Sequence, residues 1–168
     1  MSTFVVVNTY VYSVTFVADK MLLSLKEIVR ESGLSPEKLV SDWRILQKGI
    51  SAWLNSQHLE AVVLEVFNSD SNDLVGRWDF EISYGSFGDG EMWVNTEDIK
   101  YHIRKAGLWP SLCDYRIVVT TKSGAPAVSG WSGTKLRSTA GFVKQSIGTT
   151  IDANGSLRAG AAYWRKAQ

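Results

Sequence analysis

Two histidines, one cysteine, a pair of carboxylates and a glycine-rich loop are the residues of this chain whose types could do chemistry. His58 stands where a helical pattern gives way to a strand pattern, and His102 stands on the mixed face of a helical stretch. Their separation forms no local metal motif, so structural or surface roles are expected for both. Cys113 is the single cysteine, which excludes an internal disulfide and a cysteine-based zinc site and fits a reducing cytoplasm. Asp79 and Glu81 lie two apart on one face of a strand pattern. Alternation on a solvated face beside Arg77 accounts for them without acid–base catalysis. Gly85-Ser86-Phe87-Gly88-Asp89-Gly90 follows a strand, but Glu91, Met92 and Trp93 open no helix, and Asp89 would repel a pyrophosphate. It reads as a connection. The chain has no Gly-x-Ser-x-Gly elbow, no phosphate-cradling Gly-x4-Gly-Lys-Ser/Thr and no His-Glu-x-x-His. No catalytic residue, metal or cofactor is expected, and the chain reads as a non-enzyme.

The carboxyl-terminal quarter is unusual. Residues 123–168 hold seven Gly, ten Ser/Thr, six Lys/Arg and one acid, Asp152, together with Trp131, Phe142, Tyr163 and Trp164. A disordered tail lacks aromatic residues, and an ordinary core element lacks this much glycine. Such a segment is suited to ordering itself against something else. Residues 1–122 carry 12 basic and 16 acidic residues, against 6 and 1 in residues 123–168. The asymmetry has two readings: a basic tail laid on an acidic body of the same molecule, or a binding role. Arg158, Arg165 and Lys166 beside Tyr163 and Trp164 mix cations with stacking rings as single-strand binders do, and Lys135, Arg137 and Lys144 add charge. A small α+β nucleic-acid-binding domain is therefore the alternative function. The low density of cations and a pI of about 7.8 count against it.

The elements that must position these residues emerge from periodicity. A length of 168 residues with 45% apolar and 21% charged residues suits one domain with a real core. No apolar run is long enough to span a membrane, and the start of the chain lacks the basic region of a secretory signal; a cytoplasmic location is expected. Residues 3–12 are β-branched and aromatic and read as a strand or an extended arm. Val14, Val17, Ala18, Met21, Leu22, Leu25, Ile28 and Val29 recur at helical steps, with Gly33 as a stop. Ser35-Pro36 starts a second helix with the stripe Leu39, Trp43, Leu46, Ile50, Trp53 and Leu54, expected to pack antiparallel on the first. Leu59–Phe67 reads as a covered central strand and Leu74–Tyr84 as its alternating hairpin partner. A third helix starts near Asn95 and stops at Gly107, and Asp114–Thr121 is a further strand. The fold class is α+β, with helices packed on one antiparallel sheet.

Ser24-Leu25-Lys26-Glu27-Ile28, Gly33-Leu34-Ser35-Pro36, the run from Leu64-Glu65-Val66-Phe67 through Leu74-Val75-Gly76-Arg77-Trp78-Asp79, the helix Asp98–Gly107, the stretch Arg137–Thr150 and the terminal Tyr163-Trp164-Arg165 resemble the bacterial HORMA-domain proteins found beside cyclic-oligonucleotide synthases in anti-phage operons. The resemblance spans nearly the whole chain and implies a single HORMA domain of three helices on an antiparallel sheet, with an arm over 1–13, a core over 14–122 and a C-terminal safety belt over 123–168. It further implies a switch. The belt wraps a closure-motif peptide that adds as a strand to the sheet edge, and the closed protein binds and activates a cGAS/DncV-like nucleotidyltransferase (a CD-NTase). A TRIP13-like AAA+ ATPase reopens it by engaging the N-terminus, here Ser2, Thr3, Phe4 and Val5. A second HORMA protein is a further implied partner; a membrane is not. On this reading Tyr115, Arg116, Ile117, Val118, Val119 and Thr120 are the peptide rail. Trp131, Arg137, Phe142, Val143, Lys144, Tyr163 and Trp164 belong to the belt. Trp131, Phe142 and Trp164 either clamp the guest or anchor the belt to the core.

Overall fold

A computed structural model describes residues 3, 9–85 and 91–167. Helix α1 (Thr9–Glu31) buries the stripe from Ser13 and Val14 to Ile28 and Val29. It ends where Gly33, at φ +91°, turns left-handed. The Leu34 amide then bonds the Val29 carbonyl at 3.0 Å and the Gly33 amide bonds Arg30 at 3.2 Å, the two bonds of a glycine stop. The second helix is divided. Glu37–Ser41 forms α2, and after a break at Asp42 (φ −93°, ψ 7°) Trp43–Asn55 forms α3. Tyr10 at the start of α1 donates to the Leu54 carbonyl at the end of α3 at 2.7 Å, so the two helices run antiparallel.

The arm expected over residues 3–12 is corrected at its inner end, because residues 9–12 form the first turn of α1. The Tyr10 contact to α3 overrides their β-propensity. Thr3 is exposed, and Ser2, Phe4 and Val5 lie outside the described residues.

Strands β1 (Leu59–Asn68), β2 (Leu74–Tyr84), β3 (Met92–Val94), β4 (Cys113–Thr121), β5 (Phe142–Ala153) and β6 (Leu157–Lys166) form one sheet in the order β3-β5-β6-β2-β1-β4. Every described pairing is antiparallel. Helix α4 (Thr96–Ala106) begins at Asn95, whose side chain accepts from the Asp98 amide at 3.1 Å.

The helices lie on one face of the sheet. Val62, Leu64 and Val66 of β1, Trp78 and Phe80 of β2, and Ala159, Ala161 and Tyr163 of β6 share a core with the stripes of α1 and α3. Trp78 and Tyr163 stack at 5.0 Å, and the Tyr163 hydroxyl lies 3.3 Å from His102 Nδ1. The other face carries Glu65, Arg77, Asp79, Arg116 and Trp164, paired across strands by the register. The solvated face expected for β2 is therefore largely covered: Arg77 and Asp79 are ion-paired at 2.7 Å, and Asp79 is buried and accepts from Trp164 Nε1 at 3.1 Å.

The tail is the largest departure from expectation. Residues 142–166, within the stretch expected as safety belt, form two long strands that bury Ile151, Ala153, Leu157, Ala159, Ala161 and Tyr163. Asn154 (φ 65°), Gly155 (φ 69°) and Ser156 join them in a three-residue turn whose first two residues are left-handed. A core ending at residue 122 would lack two of the six strands. Three of the tail's six basic residues are ion-paired among the described residues: Arg137 with Glu65 and Lys144 with Glu81 on the body, and Arg158 with Asp152 inside the hairpin. Among the described residues no helix is long and apolar enough to cross a membrane.

Candidate functional site: a channel beneath the C-terminal belt

Among the described residues strand β4 is the end strand of the sheet, bonded to β1 on one side only. An open edge presents a row of unpaired amides and carbonyls unless something covers it. Here the next stretch of the chain passes over that edge. Residues 122–141 leave the end of β4, cross from the helix face to the opposite face, and deliver the chain to β5.

On the helix face this belt is held by tryptophans. Trp53 Nε1 of α3 donates to the Pro126 carbonyl at 2.8 Å, and Trp131 Nε1 donates to the Ile45 carbonyl at 3.1 Å. The two rings meet edge to face at 5.0 Å and 80°. Gly49 makes room, since a Cβ there would lie 2.3 Å from Trp131 Nε1. Trp131 thus anchors the belt to α3.

On the opposite face the belt is held by charge. Glu65 is fully buried in the middle of β1. Its carboxylate accepts from Arg116 Nε at 2.6 Å, Arg137 Nη1 at 2.9 Å and the Arg137 amide at 2.6 Å. Arg116 reaches on to Thr134 Oγ1 at 2.9 Å and the Lys135 carbonyl at 2.5 Å. The Arg137 guanidinium lies 3.6 Å from the centre of the Phe67 ring and donates to the Asn72 carbonyl at 3.0 Å and to Asn72 Oδ1 at 2.6 Å. A buried carboxylate requires this degree of compensation.

Between these anchorages the belt stands off the strand. Residues 116–121 of β4, Trp53, and residues 127, 128 and 130–136 of the belt line a channel of about 850 Å³. Strand residues advance about 3.3 Å each, so the lined part of β4, residues 116–121, is as long as an extended segment of about six residues. Ile117 and Val119 face the helix side, where they pack on the core; Arg116, Val118 and Thr120 face the other.

The structure brings together only some of the residues singled out from sequence. Arg116, Ile117, Val118, Val119 and Thr120 line the channel together with Thr121. Tyr115 does not. Its hydroxyl turns into the helix layer, donating to the Ser35 carbonyl at 2.8 Å and accepting from the Leu39 amide at 3.3 Å, and burial pushes its pKa up. Trp131 and Arg137 lie in the belt. Phe142, Val143, Lys144, Tyr163 and Trp164 instead lie in the β5–β6 hairpin, which pairs with β2 and not with β4. Trp164 sits between Arg77 and Lys144, 5.1 and 5.7 Å from its ring centre, and clamps nothing at the channel. Sequence reasoning assigned no site role to Glu65, Asn72, Trp53 or Gly49. An acid in the middle of the otherwise apolar stretch Ala61–Phe67 was the one signal that could have found Glu65.

The fold has known counterparts. The family model "Bacterial HORMA domain 2" matches residues 1–167. No curated protein matches. Among solved structures, a chain of the mitotic checkpoint complex is similar with a TM-score of 0.75 at 10% identity, covering 93% of this chain and 99% of that one. Caenorhabditis elegans HTP-1 bound to the HIM-3 closure motif is similar with a TM-score of 0.71 at 11% identity, covering 91% and 89%. A chain of the Escherichia coli MS115-1 HORMA:CdnC:Trip13 complex is similar with a TM-score of 0.58 at 12% identity, covering 100% and 98%. At these identities the likeness is one of fold.

Proposed function

The chain belongs to the bacterial HORMA domain family, and from that membership we propose that it is a peptide-binding conformational switch of anti-phage signalling. A closure-motif peptide lies as an added strand along β4 beneath the belt. The belted form binds and activates a CD-NTase that makes a cyclic oligonucleotide. A TRIP13-like ATPase reopens the molecule by engaging the segment around residues 2–5. The relative solved with CdnC and Trip13 and the relative solved with a closure motif support this reading.

The observation that carries it is the channel itself. The belt covers an otherwise open strand edge and leaves a cavity of about 850 Å³ between itself and residues 116–121. Strand addition at such an edge gives affinity through the backbone and preference through alternate side chains. Reconstitution tests the proposal. The chain, its operon's synthase and peptides recovered from its co-purified partners are combined, and oligonucleotide product is measured. Product is expected only when chain and peptide are both present. Equal synthesis without peptide, or without the chain, would refute the switch.

A further inference from the structure

The two walls of the channel differ in chemistry. On the helix side it is lined by Trp53, Ile117, Val119, Val128 and Trp131, with no charge. On the other side the charged lining residues are Arg116 and Lys135, and among the described residues no carboxylate lines the channel. Arg116 does not stand alone: it shares the single carboxylate of Glu65 with Arg137. Three cations therefore meet one anion around this wall, and among the described residues Lys135 forms no ion pair and shares the channel lining with no carboxylate. A strand entering the channel turns successive side chains to opposite walls. Those on the helix side meet rings and branched aliphatics, where burying an apolar side chain is favourable. Those on the other side meet a surplus of positive charge in a partly enclosed site, where a lysine or arginine is repelled and a carboxylate attracted.

Resting on the peptide reading above, we propose that the channel selects its guest by charge and alternation: an extended segment of about six residues, matching residues 116–121 of β4, with bulky apolar side chains toward Trp131 and at least one carboxylate toward Lys135. The guest is an acidic, alternately apolar peptide, and Lys135 sets its charge preference.

A random peptide library displayed on phage and panned against the full chain tests this. The expected winners alternate bulky apolar residues with polar ones, carry Asp or Glu and lack Lys and Arg. In a synthetic winner, changing the acid to Lys is expected to weaken binding about tenfold. Panning against Lys135→Glu is expected to reverse the preference toward Lys and Arg. Lys135→Gln is expected to erase the charge preference and leave the alternation. If no peptide is enriched, the peptide-binding reading fails and this inference with it. If peptides are enriched without charge bias, or Lys135→Glu selects the same acidic winners, peptide binding stands and the inference is overturned.

Discussion

Glu65 stabilises the belt through three donors, and only one of its two arginines belongs to the belt. That asymmetry decides what substitutions do. Arg137→Ala leaves Glu65 paired with Arg116, so the buried charge is not abandoned. The loss is that of charge-assisted bonds, about 2 kcal/mol. Bound peptide should then dissociate about thirtyfold faster, and the midpoint of urea unfolding should fall by about 1 M. Glu65→Ala leaves both guanidiniums without their carboxylate and should cost about 3–5 kcal/mol of fold stability. An unchanged off-rate for Arg137→Ala would show that the tryptophan anchorage alone holds the belt. Sequence could flag Glu65 as an acid out of place in an apolar run. It could not pair it with Arg137, because that partner lies 72 positions away and is brought near only by the path of the belt.

At the scale of elements, α3 and the belt meet at a glycine. Gly49 lies within α3, where alanine would favour the helix by about 1 kcal/mol. The added methyl would strike the Trp131 ring. Gly49→Ala should therefore separate two properties that usually move together. Thermal stability should hold or rise, while proteolysis within residues 122–141 accelerates and peptide retention falls about tenfold. Equal protection of the belt in both proteins would contradict the anchoring role of Trp131. The helices, β1, β2 and β4 were legible because each shows its own period, as in the stripe Val14 to Val29. The β5–β6 hairpin was not. Four of its nine buried positions are Ala and two are the polar Thr150 and Asp152, which give little hydrophobic alternation, although Asn154-Gly155 is a strong hairpin turn signal. The three-residue strand β3 is too short to show any alternation.

At the scale of the whole molecule, the hairpin sits in the interior of the sheet, between β3 and β2. A chain ending at residue 122 would expose the edge of β2 and lose the stack of Tyr163 on Trp78. Such a fragment should not unfold cooperatively, and its amide NMR spectrum should collapse toward random-coil shifts. A well-dispersed spectrum would mean that residues 14–122 form an independent core. The same placement locates the part of the tail that was hardest to foresee. Glycine content and basic charge marked all of residues 123–168 as one segment, whereas tertiary pairing divides it into a covering strip and a structural hairpin.

The strip is fastened at both ends, to α3 on one side of the sheet and to Glu65 on the other, and beyond it the hairpin is zipped along eight registered positions of β2. With β4 it closes a loop of protein around the space within, like a buckle around a cord. A chain lying there with bulky globular parts on both flanks cannot slide out lengthwise, so its release must wait for the buckle to open. Exchange of such a guest then becomes a first-order property of the host, indifferent to how much competitor is supplied outside.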